Sequence, residues 1–252
     1  MNYRIWGKAI ITTLLFGLLF GGVGSAFALP ATDILHRMDQ NQDFRTIKYV
    51  GTMIIHSGQT VRSKTMDVTA VGTSKALVEF TNPEDYGTKY LKLDQNLWIY
   101  FPAEQDSVKI SGHMLSQGMM GSDVSYQDAL ESGQFEKKYD VALTGEQSVD
   151  GRPCYLLTLT AKVRDAEYAM LKIWVDKERF VSLREEMYAK SGLLLKVSRT
   201  LSVQQFGTRW FPTRVVMSDK LKENSSTEFE MNNVVFDPPV NESMFSLRNL
   251  GR

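Results

Sequence analysis

Three histidines (His36, His56 and His113), one cysteine (Cys154) and the carboxylate doublet Glu185-Glu186 are the residues in this chain best suited to metal binding, nucleophilic attack or acid–base work. Their spacing supports none of these. No H-E-x-x-H, C-x-x-C, G-x-G-x-x-G, P-loop or G-x-S-x-G pattern occurs. The doublet falls in a β-type run, where adjacent side chains point to opposite faces and cannot share one substrate. A single thiol cannot form an intramolecular bridge, and Pro153-Cys154-Tyr155-Leu156 opens an apolar strand, so Cys154 is expected to be buried. The expectation is a non-enzymatic protein with no cofactor and no metal.

The chemistry that does stand out is apolar. Met114, Leu115, Met119 and Met120 lie close together, with Gly112, Gly118 and Gly121 beside them. Methionine adapts to irregular apolar partners and glycine frees the backbone, a combination that suits a movable cover over a greasy ligand. It equally suits an ordered helix packed on a sheet with Met filling gaps. Leu91, Leu93, Ile99 and Phe101 alternate on one hairpin, with Tyr90, Trp98 and Tyr100 in the opposite set, so both faces of that hairpin are apolar or amphipathic. Leu171, Ile173 and Val175 alternate in the same way. Together with Met66, Val68, Val78 and Phe80, these form the expected cavity wall, and the four Met/Leu residues form its cover.

The elements that would hold these residues are almost all strands. Ile34, Leu35 and Met38 recur at helical spacing after the turn and capping residues Pro30 to Asp33, predicting one short helix that ends near residues 41–43. Short runs rich in Val, Ile, Thr, Tyr and Phe then predict strands near 47–56, 60–71, 75–81, 88–94, 97–101 and 107–110. Others follow near 139–149, 153–163, 168–176, 179–189, 193–206, 210–220 and 226–236. The breaks, such as Ser57-Gly58 and Asp150-Gly151, are too short for parallel crossovers and predict an antiparallel meander. A sheet this long curls. The predicted class is mainly β with a few helices (α+β): an unclosed antiparallel half-barrel of about 10–12 strands, with a helical lid at about 111–135 over an apolar cavity.

Arg4 and Lys8 precede the apolar run Ala9 to Phe20, and Ala26-Phe27-Ala28 has the form a signal peptidase cuts, so residues 1–28 read as a cleaved leader and 29–252 as one domain. Basic and acidic residues balance at 29 each; without Arg4 and Lys8 the mature balance is 27 to 29, about −2. That balance excludes nucleic acid or an anionic surface as an obvious partner.

The run Asn96-Leu97-Trp98-Ile99-Tyr100-Phe101-Pro102-Ala103, then Val108-Lys109-Ile110 and Met120-Gly121-Ser122-Asp123-Val124-Ser125-Tyr126-Gln127-Asp128, resembles the bacterial outer membrane lipoprotein-sorting family, which is similar to the lipoprotein carriers LolA and LolB. The resemblance spans roughly the whole mature chain and is most specific over 96–128. It implies an unclosed barrel around an apolar cavity and a monomeric periplasmic carrier. Such a carrier takes lipid or lipoprotein acyl chains from an inner-membrane exporter of the ATP-binding-cassette (ABC) or resistance-nodulation-division (RND) type to an outer-membrane acceptor. The same fold also implies a second reading, an envelope-stress sensor that binds a partner's periplasmic segment. Asp123 and Tyr126 match polar positions of the family stretch, with helix capping as an alternative role. Arg62, Lys64 and Lys89 are candidates for a lipid headgroup at the cavity mouth, or for plain surface solvation.

Overall fold

The structure, a computed structural model, describes residues 29–131 and 135–251; the expected leader lies outside them. After the helix α1 (Ala31–Gln42) come six strands: β1 (Thr46–Ser57), β2 (Thr60–Val71), β3 (Lys75–Phe80), β4 (Lys89–Leu93), β5 (Asn96–Phe101) and β6 (Asp106–Ile110). An insertion with 3-10 turns at Gly112–Ser116 and Met119–Gly121 leads into two short helices, α2 (Tyr126–Glu131) and α3 (Phe135–Lys138). Seven more strands follow: β7 (Tyr139–Val149), β8 (Arg152–Ala161), β9 (Met170–Asp176), β10 (Ser182–Tyr188), β11 (Leu194–Phe206), β12 (Arg209–Asp219) and β13 (Ser225–Phe236). The chain then runs through a 3-10 turn to the short helix α4 (Leu247–Leu250).

All thirteen strands form one antiparallel sheet in the order β6-β5-β4-β3-β2-β1-β13-β12-β11-β10-β9-β8-β7. The count exceeds the expected 10–12, and the sheet is unclosed as expected. Its edges, β6 and β7, are consecutive in the chain and are joined by the insertion, while β1 and β13 pair at the centre. Turn chemistry sets the hairpins. At Asp150-Gly151 both residues have positive φ (49° and 80°), the geometry that matches the twist of the flanking strands and that glycine adopts without strain.

The concave face is filled unevenly. Over β7 to β10 it packs against α1, whose Ile34, Leu35 and Met38 are fully buried against Leu157, Leu159, Leu171, Ile173 and Val175. Each such side chain contributes about 1.5–3 kcal/mol. No side chain caps α1; it begins directly after Pro30, so Asp33 falls in the first turn instead of at the cap. Over β1 to β6 the cover is the insertion, where Tyr126 and Leu130 of α2 meet Met53, Phe80, Tyr90 and Ile99. The convex face of β3 to β5 is covered too: Phe245 and Leu250 of the C-terminal segment pack on Leu91, Leu77 and Trp98.

Cross-strand register corrects one face assignment. Tyr90 pairs with Ile99, and Leu91 with Trp98, so Leu91 and Leu93 lie on the opposite face from Ile99 and Phe101. Alternation holds within each strand, but the turn between β4 and β5 pairs odd with even positions, which sequence alternation alone cannot reveal.

Candidate functional site

A cavity of about 750 Å3 lies between the concave face of the first half and the insertion. It forms where the strands carry small residues. Ala70 pairs with Ala76, leaving a hollow near the end of the sheet where α1 terminates. Gly51 serves differently: a Cβ there would come within 3.0 Å of both Met66 Cγ and Phe229 Cζ, so its absence lets those two cavity side chains lie over the strand. From mouth to floor the wall runs through Ala70, Val68 and Met66 on β2, and Ala76, Val78 and Phe80 on β3. Met119 and Leu130 of the insertion, with Leu97, Phe211, Phe229 and Met231 of the sheet, add to the apolar lining.

The mouth is polar. His36, Asp39, Gln40, Gln42 and Asp43 on and after α1 face Thr73 and Lys75 at the β2–β3 turn. Burial, then the nearby Glu136, pushes the Asp39 carboxyl up to about 6, against a smaller lowering from His36. The α1 side of the mouth is held in place. Asn41 Nδ2 donates to the carbonyls of Arg179 (2.7 Å) and Phe180 (3.0 Å), and the Trp210 N–H donates to Asn41 Oδ1 (2.9 Å). Two polar side chains of β4, Lys92 and Tyr90, also line the cavity. Lys92 donates to the carbonyls at the end of α2, Leu130 at 2.9 Å and Ala129 at 3.4 Å. Burial pulls its ammonium below the usual lysine range. Tyr49, on β1, is pushed up to about 12 by burial.

Two carboxylates pin the insertion over the cavity. Asp123, whose side chain is fully buried, accepts from Ser225 Oγ (2.6 Å) and Thr227 Oγ1 (3.2 Å) on β13, and its own N–H donates to Thr227 Oγ1 (2.9 Å). Asp128 forms a reciprocal cap with Ser125: the Ser125 N–H donates to Asp128 Oδ2 (2.8 Å), and the Asp128 N–H donates to Ser125 Oγ (3.1 Å). The same carboxylate accepts from Tyr168 Oη and Lys196 Nζ, each at 2.5 Å. So Asp123 ties the insertion to the sheet, and capping of α2 falls to Ser125 and Asp128. Gly118 is a packing point: a Cβ there would sit 2.0 Å from the Ser122 carbonyl oxygen.

Of the residues expected to build the cavity, Met66, Val68, Val78, Phe80 and Met119 line it. Ile99 lies on the same face, buried behind the lining, and Met114, Leu115 and Met120 pack on that cluster from the insertion. Leu91 and Leu93 lie outside the lining, on the convex face beneath the C-terminal segment. Phe101 is exposed at the end of β5. Leu171, Ile173 and Val175 face inward, but α1 occupies the space above them. The basic residues singled out for a headgroup lie away from the mouth. Lys64 is buried in an ion pair with Asp85 (2.5 Å), Lys89 lies 3.7 Å from Glu79, and Arg62 is exposed beside Gly121. Sequence reasoning missed Lys92, Asp39, Tyr49 and Phe229. The available signal was Lys92 itself, a charge within the otherwise apolar run Tyr90 to Leu93.

The catalytic candidates do not converge. His36 pairs with Glu136 (3.0 Å) on the α1 side, while His56 lies at the end of β1 and His113 in a 3-10 turn of the insertion. Glu186 pairs across to Lys172 and Glu185 to Ile173, on opposite faces. Cys154 is fully buried, and burial pushes its thiol up to about 11. Among the described residues no His/Cys/Asp/Glu cluster has the makings of a metal site.

A family model described as "Uncharacterized protein" matches residues 72–252. No curated protein matches the chain. Among solved structures, a DUF1329 family protein from Desulfovibrio piger is 27% identical, with a TM-score of 0.81 over 88% of this chain and 99% of that one. A structure named for an outer membrane lipoprotein-sorting protein domain from Vibrio parahaemolyticus is 22% identical, with a TM-score of 0.75 over 88% of this chain and 100% of that one. A LolA superfamily protein from Nitrosomonas europaea is 24% identical, with a TM-score of 0.72 over 88% and 99%.

Proposed function

We propose that this chain, which belongs to the family described as "Uncharacterized protein" whose model matches residues 72–252 and which shares its fold with the lipoprotein-sorting and LolA superfamily structures, is a periplasmic carrier of lipid, or of the acyl chains of lipoproteins, and that it works without covalent chemistry. The observation that carries this reading is the uneven filling of the concave face. Where α1 packs, the sheet has a solid core; where the insertion covers it, about 750 Å3 remains between apolar walls. That volume lies within the usual range for ligand sites. At about 30 Å3 per methylene-sized group, the share of a water molecule in the liquid, it holds roughly two dozen methylenes. Each methylene moved out of water is worth about 0.8 kcal/mol, enough to hold a long acyl chain firmly without a bond to it.

In this reading residues 1–28 direct export and are removed, and the remaining chain acts as a monomer in the periplasm. It receives cargo from an inner-membrane exporter of the ABC or RND type and yields it to an acceptor at the outer membrane. The insertion is the cover that opens for transfer. Native mass spectrometry and solvent extraction of protein purified from periplasm should find co-isolated lipid. Filling the hollow with Val78→Trp should abolish that co-isolation while the fold survives. Lipid-free wild-type protein that also fails to take up a fluorescent fatty acid would sink the proposal.

A further inference from the structure

Lys92 and Tyr90 project from one strand into a cavity whose other wall residues are mainly apolar, and neither is needed to close the sheet. Lys92 pairs across the strands with Ala76 and Leu97, next to the turn at Asp94, which places it at the mouth end of the wall; Tyr90, paired with Val78 and Ile99, lies one step deeper. Both are more than nine-tenths buried. The Lys92 amine has three protons and donates at good length to one carbonyl, that of Leu130, with a longer contact to Ala129. Among the described residues no carboxylate comes within ion-pairing distance of it. The Tyr90 hydroxyl is buried without a hydrogen bond of good geometry, and the Tyr126 side chain lies beside it. A buried donor left unmet costs free energy, so one lining a cavity is a position that a ligand atom can fill.

Accepting the lipid-carrier reading above, on which this step rests, we infer that Lys92 and Tyr90 form a head-group anchor and that the cavity selects single acyl chains ending in an anionic acid group. The chain lies along Val68, Val78, Met66 and Phe80 with its tail at the closed end. Its acid oxygens sit at the mouth end, one accepting from the Lys92 ammonium and another from the Tyr90 hydroxyl. The α2 carbonyls that Lys92 already touches hold its stem in place for this contact. They leave its remaining protons for the ligand. The chemistry recognised is an acid head, which a free fatty acid supplies as carboxylate and a phosphorylated lipid as phosphate.

The test compares palmitate, hexadecyl phosphate and hexadecanol, three probes with one tail, by displacement of a fluorescent probe from the delipidated full-length mature protein. Palmitate or hexadecyl phosphate should bind at least about tenfold tighter than hexadecanol, the effect expected of a charge-assisted hydrogen bond in a buried site. Whichever acid binds tighter identifies the natural head. Lys92→Met should bring the acids down to the hexadecanol level, Lys92→Arg should keep most of the preference, and Tyr90→Phe should reduce it a few-fold. Equal binding of all three probes to wild-type protein would overturn the anchor and leave the carrier reading standing. Binding of none would remove both. If Lys92→Met fails to fold, the wild-type acid-to-alcohol ratio and Tyr90→Phe decide the matter: a ratio near one overturns the anchor, and a ratio of ten that Tyr90→Phe lowers upholds it.

Discussion

Replacing Asp128 with alanine removes one carboxylate that serves three donors. Ser125 N–H loses its cap partner, and the Tyr168 hydroxyl and Lys196 ammonium lose 2.5 Å contacts. The ion pair is largely out of water, with side-chain exposures of 12% for Lys196 and 11% for Asp128, so surface screening gives little relief. Breaking a buried pair by deleting one partner costs about 3–5 kcal/mol, and losing a helix cap about 1. The two overlap because they share one carboxylate, so we expect about 3–4 kcal/mol in all. The loss falls on the docking of the insertion, since Asp128 sits on α2, Tyr168 in the loop between β8 and β9, and Lys196 on β11. Hydrogen exchange read by mass spectrometry should show protection over 118–131 falling by roughly two to three decades, at about 1.4 kcal/mol per decade. Peptides from β8 and β9 should be little changed. Insertion protection unchanged within a few-fold, or an equal loss in β8 and β9, would refute the view that Asp128 fastens the cover locally.

Three further outcomes follow from the geometry. Asp39 is more basic in the folded state than its ordinary value of 3.8, so between about pH 4 and 6 the folded chain holds the extra proton and stability falls as pH rises through about 6; Asp39→Asn should remove that slope and raise the urea midpoint at pH 7. Asp176 is fully buried, and although burial opposes its charge, Arg152 and the N–H groups of Arg179 and Glu178 hold its carboxyl below the usual range. Its contribution is complete above the unfolded value of 3.8 and is lost as pH falls through the folded one; Asp176→Asn should cost about 3 kcal/mol, or roughly 6–12 °C in a thermal melt at pH 7. Gly118→Ala must displace the Ser122 carbonyl, so it should loosen the insertion by about 1–3 kcal/mol, read as faster exchange over 118–126, whereas alanine at Gly145, where a Cβ meets nothing within 4 Å, should leave exchange in the insertion unchanged.

The strand succession was legible because Val-, Ile- and Thr-rich runs end at residues with a turn-forming reason, such as Asp150-Gly151. The opposite facing of Glu185 and Glu186 was legible for a similar reason, since alternation within a strand is fixed by the pleat. Alternation across a turn is not, and for that reason Leu91 and Leu93 were read onto the face of Ile99 although the β4–β5 register places them on the other. Local pattern also failed at α1, where the same inward-facing signal in Leu171, Ile173 and Val175 marks solid core: only the path of the helix decides which apolar face is filled and which is hollow. Gly118 read as freedom and serves as close contact, a distinction set by Ser122 across a turn. Lys92 was overlooked because a lysine in a strand ordinarily reads as solvated, and its place beside α2 depends on a helix nearly forty residues on.

The strand order also bears on how the molecule is built. Strands β1 to β6 and β7 to β13 are two meanders in which nearly every pairing is between neighbours in the chain, and these close cheaply because their loops are short. The seam between β1 and β13 is different: its register joins Ile47 to Phe236 and Ser57 to Ser225, contacts that span most of the described chain. High contact order is concentrated in that one seam, so folding should proceed as two half-sheets forming early and zipping together late, with the cavity coming into being only after the second step. Until then the face that will line it is open to water, so the apolar wall is exposed for as long as the two half-sheets remain apart.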